Sequence, residues 1–165
     1  GIDLLLKAYK EIADEVTYPL VIAGGGEEKQ VAKLTQTIAN YHLTQKVHVV
    51  GRVTGEKKAK LFSEAVAIIV PSRFETFSIT SLESLAAGVP LITFAISGLS
   101  WIPKEARLSV PEFSISALAQ AMQKVCSDKM LVERLSKAGK RYAKNYDWDA
   151  VSQKYATLLK DILTR

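Results

Sequence analysis

The segment from residue 68 to residue 94 has the pattern of a strand, a loop, a helix and a second strand, and it constrains the fold more than any other part of the chain. Residues 68–70 are a β-branched run that suits a strand buried on both faces. The helix ends at Gly88, before a second apolar run at residues 91–94. Its predicted apolar stripe consists of Ile79, Leu82, Leu85 and Ala86.

Strands and helices alternate over the first two thirds of the chain, which predicts an α/β fold with a parallel, Rossmann-like sheet and helices on both faces. Further strands are predicted at residues 20–23, as a buried strand, and at residues 47–50 and 107–110, and from residue 114 the chain is helical to its end. The helix predicted over residues 55–65 turns Ala59, Leu61, Phe62 and Ala65 inward. In such folds a ligand lies outside the carboxyl ends of the strands. Four segments follow strands at that edge, namely the turn at Gly24, the loops at Arg52 and Glu75, and the turn at Ser97. The topology therefore predicts one site there.

Two carboxylates, Glu75 in the loop and Glu83 in the helix, can border the same pocket. Because Glu75 precedes the helix, the loop can fold it back over the helix start, where Ser78 or Thr80 can act as the cap. The first N–H groups of a helix lack intrahelical acceptors, and the helix dipole favours an anion beside them. Carboxylates accept hydrogen bonds from sugar hydroxyls. The combination predicts a sugar phosphate as the ligand.

Other residues near this edge leave alternatives open. The glycines at residues 24–26 either cradle a phosphate or only form a tight turn, and they lack the spacing of a dinucleotide fingerprint or a P-loop. Arg52 can face a ligand or be a surface charge. His48 alternates with valines and is interpreted as a packed or edge residue, and no metal-ligand spacing occurs in the sequence.

The composition predicts a single globular domain over residues 1–165, with 48% hydrophobic and 24% charged residues. The single cysteine, Cys126, excludes an internal disulfide bond and a cysteine-based metal cluster. No apolar run approaches the roughly 20 residues that span a bilayer, and no signal peptide opens the sequence. We therefore expect a cytoplasmic protein.

The net charge of +5 is moderate. The basic residues gather in two clusters, Lys57, Lys58 and Lys60 in one and Lys137, Lys140, Arg141 and Lys144 in the other. The second cluster has helical spacing. The clusters are interpreted as solvated helix faces or as peripheral contacts with an anionic membrane surface. Basic and aromatic residues are not interleaved, so nucleic acid is not an expected partner.

The segment PSRFETFSITSLESLAAGVPLI resembles the donor-site signature of the retaining GT-B glycosyltransferases of the group 1 family (family 4-like), which use nucleotide-sugars. The usual form is P-S-x-x-E-G-F-G-x-x-x-x-E-A-x-A-x-G-x-P-V-I. The chain departs from it at Thr76 and Ser78, where the family usually has glycines. It matches at Pro71, Ser72, Glu75, Phe77, Glu83, Ala86, Gly88, Pro90 and Ile92.

The resemblance implies that the chain is the donor-binding half of a GT-B fold, within a longer enzyme whose N-terminal domain binds the acceptor. The first, central strand of that half is missing from the sequence, so a gap or a rearrangement of the sheet is predicted there, with a neighbouring molecule as another way to fill the place. Only Gly1 corresponds to the basic segment that precedes the first helix in the family, so this chain alone is not expected to catalyse transfer. Trp148 lies in a segment similar to the start of the family's last helix and is predicted to be a packing anchor. In the full enzymes of the family that last helix can reach across to the other domain.

The resemblance also implies roles for individual residues. Glu75 would be catalytic, holding the donor sugar near its anomeric carbon, and Glu83 would accept hydrogen bonds from the ribose hydroxyls. The other implied donor contacts are the backbone N–H groups of Phe77, Ser78, Ile79 and Thr80, the base-binding loop at Arg52 and Val53, and the turn at Gly24 and Gly25. The reaction would transfer a hexosyl unit from an NDP-sugar to a glycan or lipid-linked acceptor, as in polysaccharide biosynthesis, without a metal or another cofactor.

Two other functions are compatible with the sequence. One is a Rossmann-like module that binds a nucleotide without catalysis, because Ser100 and Trp101 stand where the family's G-G-x-P-E turn has proline and glutamate. The other is a hydrolase in which Glu75 and Glu83 serve as acid and base, which requires carboxyl groups about 5 to 10 Å apart.

Overall fold

Helices and strands alternate along the first two thirds of the computed structural model, which describes residues 1–164, as the sequence predicts. The strands are β1 (Leu20–Ala23), β2 (Val47–Gly51), β3 (Ile68–Val70), β4 (Leu91–Phe94) and β5 (Leu108–Val110). The helices are α1 (Ile2–Ile12), α2 (Glu28–Asn40), α3 (Gly55–Glu64), α4 (Ile79–Ala87), α5 (Ile115–Ser127), α6 (Lys129–Ala143) and α7 (Trp148–Leu163). Short 3₁₀ turns occur at Ser97–Leu99, Lys104–Ala106 and Lys144–Tyr146.

The strands form two separate parallel sheets. β1 pairs with β2, with Leu20 opposite Val47, and β3, β4 and β5 pair in that order. Within residues 1–164 no strand joins the two sheets, so the predicted gap is present. Because every pairing is parallel, the carboxyl ends of the strands lie at one edge of each sheet.

The hydrophobic core includes residues of both sheets, and all four residues of β4 are buried. α1 packs against α5, and α4 packs against α6. The second contact is close, since a Cβ atom on Gly139 of α6 would lie 3.2 Å from the side chain of Leu85. Gly88 ends α4 with a φ of 74°, which glycine adopts without strain. α4 is therefore anchored to the core through Leu85.

Three predictions about burial are wrong. The sequence predicts a fully buried β1, whereas Val21 is 40% exposed and the strand alternates between buried and exposed residues. Such alternation is expected where only one face of a sheet is covered. α3 has no buried residue, and Ala59, predicted to face inward, is exposed. In α4, Ile79 and Ala86 are exposed, so Leu85 makes the core contact without them.

The last helix, α7, has no buried residue among those the structure describes. Trp148 is 87% exposed, so the prediction that it is a packing anchor is wrong. The large exposed side chains of α7 also include Tyr155, Leu158, Leu159, Ile162 and Leu163. Nothing within residues 1–164 covers this apolar side.

None of the helices within residues 1–164 combines the length and apolar character that crossing a membrane requires.

Candidate functional site

The loop between β3 and α4 holds Glu75 against two neighbouring segments. The Ser72 hydroxyl donates a hydrogen bond of 2.8 Å to Oε1 of Glu75. Gly98, in the turn after β4, packs directly on the loop, because a Cβ atom there would lie only 1.7 Å from the carbonyl oxygen of Glu75. The same loop is joined to α1 by Arg73, which donates hydrogen bonds of 2.8 and 2.7 Å to the two carboxylate oxygens of Asp3. Glu75 is thus half-buried in a loop that is fixed at both sides.

The start of α4 is open. Ser78 caps the helix from a left-handed backbone conformation, with a φ of 67°. Its carbonyl oxygen accepts hydrogen bonds from the N–H groups of Ser81 and Leu82, at 3.1 and 3.2 Å. The N–H groups of Ile79 and Thr80 precede these bonds and have no intrahelical acceptor. Both residues are exposed, so these two amides lie at an accessible helix start with the positive end of its dipole.

An aromatic cluster of Trp101, Tyr142 and Tyr146 packs against Phe77 of the loop. The Trp101 indole N–H donates a 2.7 Å hydrogen bond to the carbonyl oxygen of Phe77, and the two rings stack with centroids 4.4 Å apart. The Tyr142 hydroxyl donates to the carbonyl oxygen of Trp101 and lies 3.1 Å from the Tyr146 hydroxyl. Burial and the hydrogen bond with Tyr142 raise the pKa of Tyr146 to about 12. The sequence gives no local signal for this cluster, because Phe77 and Trp101 lie on different connections.

The carboxylate of Glu83 is engaged by a lysine from another helix. Nζ of Lys58, in the first turn of α3, lies 2.6 Å from Oε1 of Glu83. The other oxygen, Oε2, is buried and has no hydrogen-bond partner within residues 1–164. A buried acceptor without a donor costs about 1 to 3 kcal/mol. Sequence reasoning grouped Lys58 with Lys57 and Lys60 as a basic cluster and missed its pairing with Glu83, although Lys58 shares the i, i+3, i+4 face of Leu61 and Phe62.

The remaining predicted residues lie at the edge of the β1–β2 sheet. The Gly24 N–H donates a 2.8 Å hydrogen bond to the carbonyl oxygen of Gly51, and a Cβ atom on Gly25 would lie 3.9 Å from Cβ of Arg52. The glycine turn and the Arg52 loop are therefore adjacent. Arg52 is exposed and Val53 is half-buried. The structure thus groups the predicted residues by sheet, and the contact between Lys58 and Glu83 joins the connection after β2 to α4.

Two charged side chains outside the loop, Asp3 and Arg107, have shifted pKa values. The hydrogen bonds from Arg73 hold the pKa of Asp3 well below its ordinary value. Arg107 is buried, donates a 2.9 Å hydrogen bond to the Thr93 hydroxyl, and has its pKa lowered by burial. Two surface depressions lie around residues 16–19, before β1, and so at the opposite edge from the candidate site. Residues 1–164 contain no group of three or more acidic, histidine or cysteine side chains placed to hold a metal ion.

The two parallel sheets with flanking helices have the architecture of one half of a GT-B glycosyltransferase. The chain belongs to the family "glycosyl transferases group 1", which it matches over residues 1–142. This match confirms the resemblance inferred from the segment between Pro71 and Ile92.

Known proteins resemble nearly the whole chain. An uncharacterized glycosyltransferase of Methanocaldococcus jannaschii is 28% identical over 97% of this chain and 41% of its own length. Sucrose-phosphate synthase of Thermosynechococcus elongatus superimposes with a TM-score of 0.89 at 28% identity, over 99% of this chain and 42% of that protein. The Anabaena protein HepE, solved with UDP and glucose, has a TM-score of 0.86 at 18% identity, over 97% of this chain and 44% of its own. The chain thus spans less than half the length of these relatives.

Proposed function

We propose that the chain is the nucleotide-sugar-binding half of a retaining glycosyltransferase, which transfers a hexosyl unit from an NDP-sugar to a glycan or lipid-linked acceptor. The observation that carries this proposal is the pairing of a fixed carboxylate, Glu75, with the open helix start at Ile79 and Thr80. Sugar hydroxyls donate to the first and a diphosphate accepts from the second. The complex of HepE with UDP and glucose supports the same ligand class.

Each predicted donor contact has a place in this proposal. Glu75 holds the donor sugar near its anomeric carbon, and the amides of Phe77, Ser78, Ile79 and Thr80 bind sugar and phosphate oxygens. Glu83 accepts hydrogen bonds from the ribose. Gly24 and Gly25 lie near the donor, and Arg52 and Val53 hold the base; the contact between Gly25 and Arg52 supports treating these two segments as one surface.

In this mechanism the chain stabilises the departing nucleoside diphosphate. Negative charge grows on the diphosphate as the bond to the sugar breaks, and bare amides at a helix start stabilise it without reorganising. The sugar becomes cationic at the same time, and the carboxylate of Glu75 lies where it offsets that charge. We propose that no metal ion or other cofactor takes part.

The proposal needs a second domain. We propose that an N-terminal domain of the same protein binds the acceptor and that this chain alone does not catalyse transfer. The short span of the chain relative to its relatives supports this.

We also propose that the enzyme is cytoplasmic and lies at the inner face of a membrane. The residues that would contact anionic lipid headgroups are Lys137, Lys140 and Arg141, which are exposed on α6, and Lys144.

The test uses the full-length protein in two steps. A thermal-shift panel of UDP-, GDP- and ADP-sugars, each with and without EDTA, identifies the donor, and we expect the shift to survive EDTA. The Glu75→Ala variant is then compared with Glu133→Ala, which changes an exposed glutamate on α6. We expect Glu75→Ala to lower kcat about 100-fold or more, with little change in nucleotide affinity, and Glu133→Ala to change neither.

The outcomes separate the rival functions. A full-length protein that binds nucleotide-sugars but transfers no sugar to any acceptor would be the non-catalytic module. Release of free sugar by water, with no acceptor dependence, would indicate the hydrolase. Wild-type transfer by Glu75→Ala would contradict the role given to Glu75.

A further inference from the structure

The ion pair between Lys58 and Glu83 differs from the other lysine pair formed on α3. It links two helices and is short, with Nζ of Lys58 2.6 Å from Oε1 of Glu83. The side chains are only 35% and 37% exposed. Lys60 pairs with Glu64 one turn along the same helix at 3.8 Å, with exposures of 74% and 61%. A pair of the second kind is an ordinary surface contact. The first is built from two elements that only the folded chain brings together.

The surroundings of this pair hold it in place. Nζ of Lys58 also lies 5.9 Å from the centre of the Phe62 ring, and the anchor of α4 at Leu85 sets the position of Glu83 along the helix. Oε2 of Glu83 is buried without a partner, while the side chain as a whole remains partly exposed. The carboxylate is thus turned with one oxygen inward and the other on the lysine.

A carboxylate beside an ammonium complements a pair of neighbouring hydroxyl groups. The carboxylate only accepts hydrogen bonds and the ammonium only donates them, whereas each hydroxyl does both. Oε1 of Glu83 has capacity for a further hydrogen bond, and Nζ of Lys58 has further protons to donate. A vicinal diol can therefore donate to Glu83 and accept from Lys58 together.

We propose that Lys58 is a further nucleotide-binding residue that binds the ribose diol jointly with Glu83 and so selects ribonucleotides over 2′-deoxyribonucleotides. This inference rests on the proposed function, which places the ribose at Glu83. It adds a residue from α3, directly after the loop given to the base, and so one continuous connection would contact both the base and the ribose.

The experiment measures nucleotide affinity in the full-length protein by calorimetry. UDP, GDP and ADP are each compared with their 2′-deoxy counterparts, and the measured quantity is the ratio of the two dissociation constants for the base that binds best. We expect the unchanged protein to prefer the ribonucleotide about tenfold. Lys58→Met, which keeps the side-chain length and helix propensity, should reduce that preference to about threefold or less. Lys60→Met is the matched control and should leave the ratio unchanged.

A general loss of stability would weaken both nucleotides equally and would not alter the ratio. Should Lys58→Met unfold, Lys58→Gln keeps a donor to Glu83 without the ammonium and should still lower the preference for the ribonucleotide. An unchanged ratio in that variant would refute the role of Lys58. The second measurement uses a double variant. Glu83→Ala alone should remove the preference for the ribonucleotide, and adding Lys58→Met to it should change the ratio of the dissociation constants no further.

The outcomes distinguish this inference from the proposed function. If Glu83→Ala removes the preference and Lys58→Met does not alter it, the ribose site stands and the role of Lys58 is refuted. If Lys58→Met tightens binding, the lysine competes with the ribose instead of binding it, and the inference is wrong. If no nucleoside diphosphate binds the unchanged protein, the proposed function fails and this inference fails with it.

Discussion

Ser78 adopts the backbone conformation for which the family usually employs glycine. Its φ of 67° costs an L-residue roughly 1 to 2 kcal/mol. In return its hydroxyl oxygen accepts hydrogen bonds from the N–H and the hydroxyl of buried Ser81, at 3.4 and 2.9 Å. Serine at this position therefore adopts a left-handed conformation that glycine favours and adds a cap.

We expect substitutions at Ser78 to reverse the usual order of alanine and glycine. Ser78→Ala loses the cap and keeps the strain, and should lower the free energy of unfolding by about 1 to 2 kcal/mol. Ser78→Gly relieves the strain and should be more stable than the alanine variant by about 1 kcal/mol. Urea denaturation measures both. At Ser116, an exposed site within α5, alanine should be the more stable variant, and the same order at Ser78 would contradict the strain.

The loop between β3 and α4 is shaped by its contacts with other elements more than by its own sequence. Trp101 bonds the Phe77 carbonyl oxygen, Gly98 packs on Glu75 and Arg73 binds Asp3. These contacts come from two separate parts of the chain, the connection after β4 and helix α1. A loop held in this way presents the amides of α4 in one arrangement before any ligand binds, which lowers the entropic cost of binding.

Trp101→Phe is expected to weaken donor binding through the loop. The variant keeps a ring to stack on Phe77 and removes the indole N–H that donates to the carbonyl oxygen of Phe77. We expect a loss of about 1 kcal/mol in stability and a severalfold rise in KM for the nucleotide-sugar, with affinity for the nucleoside monophosphate unchanged. Steady-state kinetics and calorimetry on the full-length protein measure these. Tyr18→Phe, at a 47% exposed site before β1, is the control for donor affinity, and an equal effect there would exclude a specific role for Trp101.

At the scale of the whole molecule, two features are neither filled nor covered by any other part of residues 1–164. The strands form two sheets with a gap between them, and α7 exposes an apolar stripe. Stripes of this kind on a helix normally pack against another surface. We infer that the rest of the polypeptide covers α7, because this chain spans less than half the length of its relatives.

Substitutions on α7 test that inference in the full-length protein. Leu159→Ser should lower the free energy of unfolding by about 2 kcal/mol if Leu159 is buried there. The neighbouring Lys160→Ser, off the stripe, should stay within about 0.5 kcal/mol. Equal, small effects in denaturant titrations would mean that α7 remains exposed.

Local signals in the sequence were enough for the order and type of the elements and for the family. A β-branched run predicts β3, an apolar run predicts β4, and Gly88 predicts the end of α4. The matches spread from Pro71 to Ile92 indicate the family. Each signal acts between residues that are close along the chain, so it survives without knowledge of the rest. Whether those residues bind a donor stays a prediction.

Only the tertiary structure decided the partners of these residues. Lys58 belongs to a basic cluster in the sequence and to Glu83 in the fold, and Trp101, a departure from the family pattern, becomes the support of Phe77. Trp148 shows the opposite case, because an aromatic residue at a helix start is buried only if another element lies over it. Periodicity identifies the face of an element, and the packing of distant segments determines what that face contacts.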